Sequence, residues 1–313
     1  MQKALNVLKN KRIWLPAVGG FLLLAVCCLF LCSHRLPITS TSDVEDIHVV
    51  FNIDDNYAKF LSVTMISILQ NTDEHLNFHI LTNGLSETSL KKLKELKKIK
   101  PFELDVITVD DKRIAQIPDY FRKTINSVAN YRLLASSLLP DLDKVIYLDV
   151  DLVLTGDIKE YWHTDVRNDY LAAIEDPLNE KEGMLDNLPL PDKALYFNSG
   201  VMIINLKKWR EDGIEQKFFE NSAKFADVLL LPDQDLLNLT LLPAVKYLDK
   251  KYNFMVESED LEKDHEFLAI HWAGFTKPWE EKRGIKVEYF WHYAEYSPFY
   301  PEIIQTYNPA AVF

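Results

Sequence analysis

The chain has 313 residues, of which 48% are hydrophobic and 12% aromatic; this excludes a largely disordered protein and allows one large or two small domains. Its net charge of −12 is unevenly spread, because residues 1–40 hold five of the 35 basic residues and none of the 47 acidic ones. The acidic remainder excludes a surface built to grip nucleic acid, and leaves any anionic ligand to be met by a metal or by a few local cations.

In chain order the first feature is a basic tail, residues 1–12, followed by twenty residues without a charge, Ile13 to Cys32. That length spans a bilayer as a helix, and the exit "CSHRLP" lacks the A-x-A-like site of a cleaved signal peptide, so a membrane anchor is expected. Lys3, Lys9, Lys11 and Arg12 precede the segment and only Arg35 follows closely. The positive-inside rule then puts the amino terminus in the cytoplasm and the rest outside. All three cysteines lie in or at the end of this segment, so the body of the chain has no disulfide, zinc–thiolate site or cysteine nucleophile. A linker, 33–46, leads to a single catalytic-sized domain, 47–313.

Strands and helices then alternate. "IHVVFNI" (47–53), "NFHILTN" (77–83) and "FELDVITV" (102–109) read as strands; "AKFLSVTMISILQ" (58–70) and "SETSLKKLKELKKI" (86–99) read as helices. Further strands are predicted at "VIYL" (145–148), "NDYLAAIED" (168–176) and "SGVMIINL" (199–206), followed by one helix over 207–225. The alternation implies an α/β domain with a parallel sheet, helices on its faces, and ligands beyond the carboxyl ends of the strands.

"DKVIYLDVDLVLTG" (143–156) sets Asp149 and Asp151 on either side of Val150 at the end of an apolar strand. Side chains at i and i+2 of extended chain point to one side, so the two acids crowd one spot, which is costly without a positive partner. Five other polar clusters stand at element ends, and each has an ordinary structural reading. Asp54, Asn56 and Tyr57 follow the first strand, where an Asp or Asn caps a helix. Arg132 in "NYRLLAS" reads as a helical surface cation. Asn198, Ser199 and Gly200 precede a very apolar strand, as a turn would. Asp233, Gln234 and Asp235 open a helix, although capping explains one acid rather than three polar residues in succession. His271, Gly274 and Lys277 follow a last short strand, where a lone His is ordinarily a hydrogen-bonded structural residue. Two carboxylates and an imidazole together suit Mn²⁺ or a similar ion such as Mg²⁺, with Lys277 placed to meet phosphates held by the same ion.

D-x-D after an apolar strand also occurs in phosphatases of the haloacid-dehalogenase type, and this is the alternative reading. There the motif belongs to the first strand, whereas three strand–helix units precede it here. Taken in order, "DDNYAKFL", "YRLL", "KVIYLDVDLVL", "YFNSGVMIINLKKWR", "DQDLLN", "YNFM" and "HWAGFTKPW" resemble the family 8 retaining glycosyltransferases, particularly the bacterial lipopolysaccharide galactosyltransferases and glucosyltransferases, from about His48 to Trp279. The resemblance implies a single GT-A-type, Rossmann-like domain that uses UDP-galactose or UDP-glucose with Mn²⁺. Under it Asp54, Asn56 and Tyr57 hold the uridine end, with Val150 and Arg132 also counted among the donor-binding positions. Asp149, Asp151 and His271 become metal ligands, and Gly274 and Lys277 contact the diphosphate. Asn198, Asp233 and Gln234 join Arg132 around the donor sugar as the catalytic positions, and Asp176 lies near the acceptor, a glycan or glycolipid hydroxyl.

The resemblance also implies retention of anomeric configuration. Gln234 stands where a double displacement needs a carboxylate, so same-face attack through an oxocarbenium-like ion pair is expected. The bacterial relatives generally lack an amino-terminal anchor and meet the membrane through a basic carboxyl-terminal region. Here "YPEIIQTYNPAAVF" is short and not basic, so lipid contact is expected at the other end of the chain. A eukaryotic source would then place the domain in the Golgi lumen, and a bacterial source on the cytoplasmic membrane.

Overall fold

The computed structural model describes residues 46–118, 127–176, 185–257, 267–280 and 284–306. The expected anchor, 13–32, and its flanks lie outside the described residues, among which no helix is long and apolar enough to cross a membrane.

The expected strands form in the expected order. β1 (Asp46–Asn52), β2 (His75–Thr82), β3 (Glu103–Thr108) and β4 (Lys144–Leu148) are followed by β5 (Leu152–Leu154), β6 (Leu171–Glu175), β7 (Phe197–Asn205) and β8 (Val245–Tyr247), then β9 (Phe254–Met255) and β10 (Ala269–His271). Seven of them make one sheet in the order β3-β2-β1-β4-β7-β6-β8, and β5-β10-β9 make a small second sheet. The purely parallel sheet expected from the alternation is corrected to a mixed one. β1 to β4 run parallel, but β7 is antiparallel to both β4 and β6. The strand–helix alternation that implies parallel pairing holds for β1 to β4, whereas antiparallel partners such as β6 and β7 require no crossover helix.

Each face of the large sheet buries its own apolar cluster. One holds the helix Ala58–Asn71 with the carboxyl-terminal helices Val287–Ala294 and Tyr300–Thr306, and includes Phe51, Phe78 and Phe290; the other packs Trp209, Phe218 and Leu237 from the helices after β7. Ala58–Asn71 is buried on almost every side, including Ser62, Thr64 and Ser67, because it is sandwiched between the sheet and those terminal helices. Glu87–Glu95 is amphipathic and starts where the Ser86 hydroxyl accepts the Ser89 N–H, with its lysines toward solvent. The helix expected over 207–225 is two helices, Leu206–Glu211 and Ile214–Phe225. Gly213 between them has φ of +61°, a left-handed conformation that ends a helix. Arg132 lies on a 3-10 helix, Ser127–Leu134, and is buried rather than a surface cation.

Candidate active site

The D-x-D segment is the seam between the two sheets. The Asp149 N–H donates to the Gly200 carbonyl at 2.8 Å, prolonging the β4–β7 ladder, while the Trp272 N–H donates to the Asp151 carbonyl at 3.0 Å and Leu152 pairs with His271. Two residues apart in sequence, the acids therefore belong to different sheets and meet different neighbours. Val150 between them is 8% exposed and turned into the core. The buried Thr64 hydroxyl lies 3.1 Å from the Val150 carbonyl and 2.8 Å from that of Leu152, fastening the seam to the helix beneath. Asp149, Asp151 and His271 offer ligand atoms that all lie within 4.8 Å of one another.

Each acid has its own cation. Asp149 Oδ1 accepts from Arg132 Nη2 and from the Tyr147 hydroxyl, both at 2.8 Å, and the guanidinium also lies over the Tyr147 ring. Asp151 Oδ2 accepts from Lys277 Nζ at 2.7 Å, and the ammonium donates further to the carbonyls of Trp272 and Gly274. Burial pushes the Asp149 carboxyl up even beside Arg132. At Asp151 burial acts in the same direction, but Lys277 and His271 outweigh it and hold the carboxyl far below the ordinary range. Burial opposes the charged forms of His271 and Lys277, and the negative Asp151 overcomes it, so both are raised.

These residues fit a divalent cation. Asp151 Oδ1 is buried without a hydrogen-bond partner although His271 Nε2 lies 3.2 Å away, so its lone pairs point to something other than a settled protein donor. The adjoining wall is cleared by Gly200: a Cβ there would stand 2.4 Å from His271 Cε1 and 2.8 Å from Asp149 Oδ2. Two carboxylate oxygens and an imidazole nitrogen suit Mn²⁺ or Mg²⁺.

Beside the acids lies a buried polar layer, and the three polar residues that open the helix Pro232–Leu241 divide its work. Asp233 pairs with Arg132 Nε at 3.2 Å. Gln234 Oε1 accepts the Ser199 N–H at 2.8 Å and its Nε2 donates to Asp176 Oδ2 at 3.1 Å. Asp235 secures the turn that leads into the helix, whose N-cap Leu231 has no side-chain cap: its carboxylate accepts the N–H groups of Leu230 and Leu231 and the Tyr196 hydroxyl, and burial pushes it up to about 6. Asn198 Nδ2 donates to the same Asp176 oxygen at 3.1 Å.

At the other end, Asp54 caps a 3-10 turn by accepting the Tyr57 N–H at 3.1 Å, so the capping reading of that residue holds in this structure. Asn56 is exposed in the same turn. Tyr57 packs edge-on against Phe60 and Trp279; burial raises its hydroxyl, and the nearby Asp151 charge adds to the rise. The Gly274 N–H donates to Glu257 Oε1 at 3.1 Å, and a Cβ at Gly274 would come 2.7 Å from that oxygen. The structure thus gathers Arg132, Asp149, Asp151, Asp176, Asn198, Asp233, Gln234, His271 and Lys277 through direct contacts, with Val150 and Gly274 contributing backbone.

Three participants carried no functional signal in the sequence. Tyr147 read as one more apolar strand position, and Glu257 as one acid among many. Asn253 was visible only inside "YNFM"; the structure places it against both His271 and Asn198.

Comparison with known proteins gives a consistent picture. The family model described as Glycosyl transferase family 8 matches residues 48–283. A putative glycosyltransferase of Haemophilus influenzae is 32% identical over 251 residues, covering 76% of this chain and 74% of its own. A lipopolysaccharide 1,2-glucosyltransferase of Escherichia coli is 30% identical over 272 residues, covering 81% and 79%. Among solved structures, that of galactosyltransferase LgtC in complex with donor and acceptor sugar analogs superposes with a TM-score of 0.72 at 30% identity, covering 80% of this chain and 96% of that one.

Proposed function

This chain belongs to glycosyl transferase family 8 and is a glycosyltransferase, and on that premise we propose that it moves galactose or glucose from a UDP-sugar to a hydroxyl of a glycan or glycolipid, with retention. The observation that carries the proposal is the meeting of Asp149, Asp151 and His271 around an unsatisfied carboxylate oxygen, next to a layer of polar side chains. In this reading those three residues hold Mn²⁺ or Mg²⁺. When bound, the ion supplies positive charge against the diphosphate and so favours its departure.

The protein's own groups do the rest. Lys277 and Gly274 face the diphosphate, and Asp54, Asn56 and Tyr57 face the uridine. Arg132 cannot act as a loose cation, because Asp149, Asp233 and the Ser199 carbonyl hold its guanidinium in one plane. It orients both acids, and Asp233 is tied up as its partner. Gln234 has both ends of its amide engaged, its carbonyl by Ser199 and its NH₂ by Asp176, so the side chain is held in one orientation beside the donor-sugar side. An amide there steadies positive charge at the anomeric carbon without forming a lasting bond. Asp176, fixed by two amide N–H donors, lies on the acceptor side.

We place the anchor at 13–32 with the catalytic domain at 47–313, joined to the bilayer by a type II signal anchor if the source is eukaryotic. The dehalogenase-type alternative draws no support: the D-x-D follows β4, and Asp149 is held by Arg132 and Tyr147 rather than poised as a nucleophile. A panel of UDP-sugars with Mn²⁺ tests the proposal through UDP release. Release from UDP-galactose or UDP-glucose is expected; no release from any UDP-hexose, with either ion, would overturn it.

A further inference from the structure

Behind the metal-binding imidazole runs a chain of amides whose direction can be worked out from one unambiguous donor. The Gly200 main-chain N–H has a fixed role, and it donates to the Asn198 side chain at 3.0 Å, so the atom it meets is the amide oxygen. The Asn198 NH₂ then faces Asp176, an acceptor, as it must. The same Asn198 oxygen lies 2.9 Å from Asn253, which is therefore presenting its NH₂ there. That leaves the Asn253 oxygen for His271 Nδ1, 2.9 Å away. An oxygen accepts, so Nδ1 carries the proton, and Nε2 is the nitrogen turned to Asp151 Oδ1 at 3.2 Å. In the neutral ring Nε2 then offers its lone pair on the side of Asp151, where a cation held by that acid would bind.

From this geometry we propose that Asn253, 1% exposed, is a positioning residue that fixes His271 as the Nδ1–H tautomer, freeing Nε2 for the ion. It also links the ion to the sugar side, since its other end steadies Asn198 and through it Asp176 and Gln234. The inference rests on the metal reading above, so its test keeps the two apart. Long-range ¹H–¹⁵N spectra of the full-length protein, recorded without metal and at alkaline pH where the ring is neutral, read the His271 tautomer directly. Mn²⁺ titration followed by electron paramagnetic resonance reads the affinity separately.

The wild type is expected to show the Nδ1–H form. Asn253→Ala is expected to mix the tautomers and weaken Mn²⁺ about 10- to 100-fold, the usual range for loss of such a supporting contact. Asn253→Asp keeps an acceptor at Nδ1 although it loses the donor to Asn198, and is expected to retain the Nδ1–H tautomer and to bind Mn²⁺ more tightly than the alanine variant. A wild-type ring protonated at Nε2 would overturn the proposal, as would an alanine variant with unchanged tautomer and unchanged Mn²⁺ affinity. If the alanine variant does not fold, the wild-type spectrum and the aspartate variant still decide. Absence of Mn²⁺ binding by the wild type would instead remove the metal reading, and the spectrum of the metal-free protein distinguishes that result.

Discussion

In the metal-free protein Lys277 and Asp151 should behave as one energetic unit. Their N···O distance is 2.7 Å, and their side chains are 23% and 15% exposed, so solvent screens them little. Coulomb's law at an effective dielectric of 20 sets a ceiling of roughly 6 kcal/mol, from which desolvation of both groups subtracts. Removing one partner leaves a buried charge facing carbonyls or a neighbouring acid. Asp151→Asn and Lys277→Met are each expected to cost about 3 kcal/mol, or roughly 6–12 °C in Tm for a domain of this size. The double variant should cost clearly less than the sum, with a coupling of about 2 kcal/mol. Crowding against Asp149 acts the other way, and relief of that repulsion is why the single Asp151 change is not expected to abolish folding. Thermal and urea unfolding in EDTA at pH 7, followed by far-UV circular dichroism, measures all four corners of the cycle. Additivity within about 0.5 kcal/mol would refute the reasoning. The Asp151 carboxyl is depressed in the folded state, so its contribution is present above the unfolded value near about 4 and is lost as pH falls below it. The gap between wild type and Asp151→Asn should accordingly narrow only in acid.

A second pH effect belongs to β1 and β2, where His48 Nδ1 and His79 Nε2 are 3.0 Å apart with stacked rings. Burial lowers both, so the unfolded chain takes up protons first; stability should fall as pH drops below about 6.5, and a His79→Phe variant should flatten the slope of Tm against pH. Gly200→Ala should drive His271 and Asp149 apart and weaken Mn²⁺ binding at least about tenfold by calorimetry, while Gly213→Ala should cost about 1 kcal/mol of stability and leave Mn²⁺ binding unchanged. Gln234→Ala should lower kcat with UDP affinity nearly intact, and the wild-type product of an α-linked donor should be α-linked by its anomeric coupling constant; a β-linked product would remove the retaining assignment.

Much of this was legible in the sequence because strand edges advertise themselves. Apolar runs bounded by Asp149, Asn198 or His271 marked both where strands begin or stop and which polar groups they present. What local patterns left out was partnership across the sheet. Nothing near Arg132 indicates that its guanidinium will be buried between Asp149 and Asp233, because both contacts come from other elements. Asp235, the next residue after two candidate site residues, closes the turn before its own helix. The mixed sheet was hidden for a related reason: strand direction depends on how connections run in space, which periodicity does not encode.

The seam also explains why two acids one residue apart are tolerable. In a single continuous strand Asp149 and Asp151 would share one face and one set of neighbours. Here Val150 is the pivot at which the chain leaves one sheet for the other, and each flanking acid is tied by its backbone to a different partner strand. Asp149 belongs to the rigid side, locked by Arg132 and Tyr147 and through Arg132 to the sugar layer. Asp151 belongs to the side that carries His271 and the Lys277 loop, where the Lys277 ammonium neutralises it. A cation held by Asp149, Asp151 and His271 would be gripped by residues of both sheets. Its binding energy is thereby coupled to the relation between the large sheet and the loop 272–277, and that coupling favours an assembled site when the ion is present.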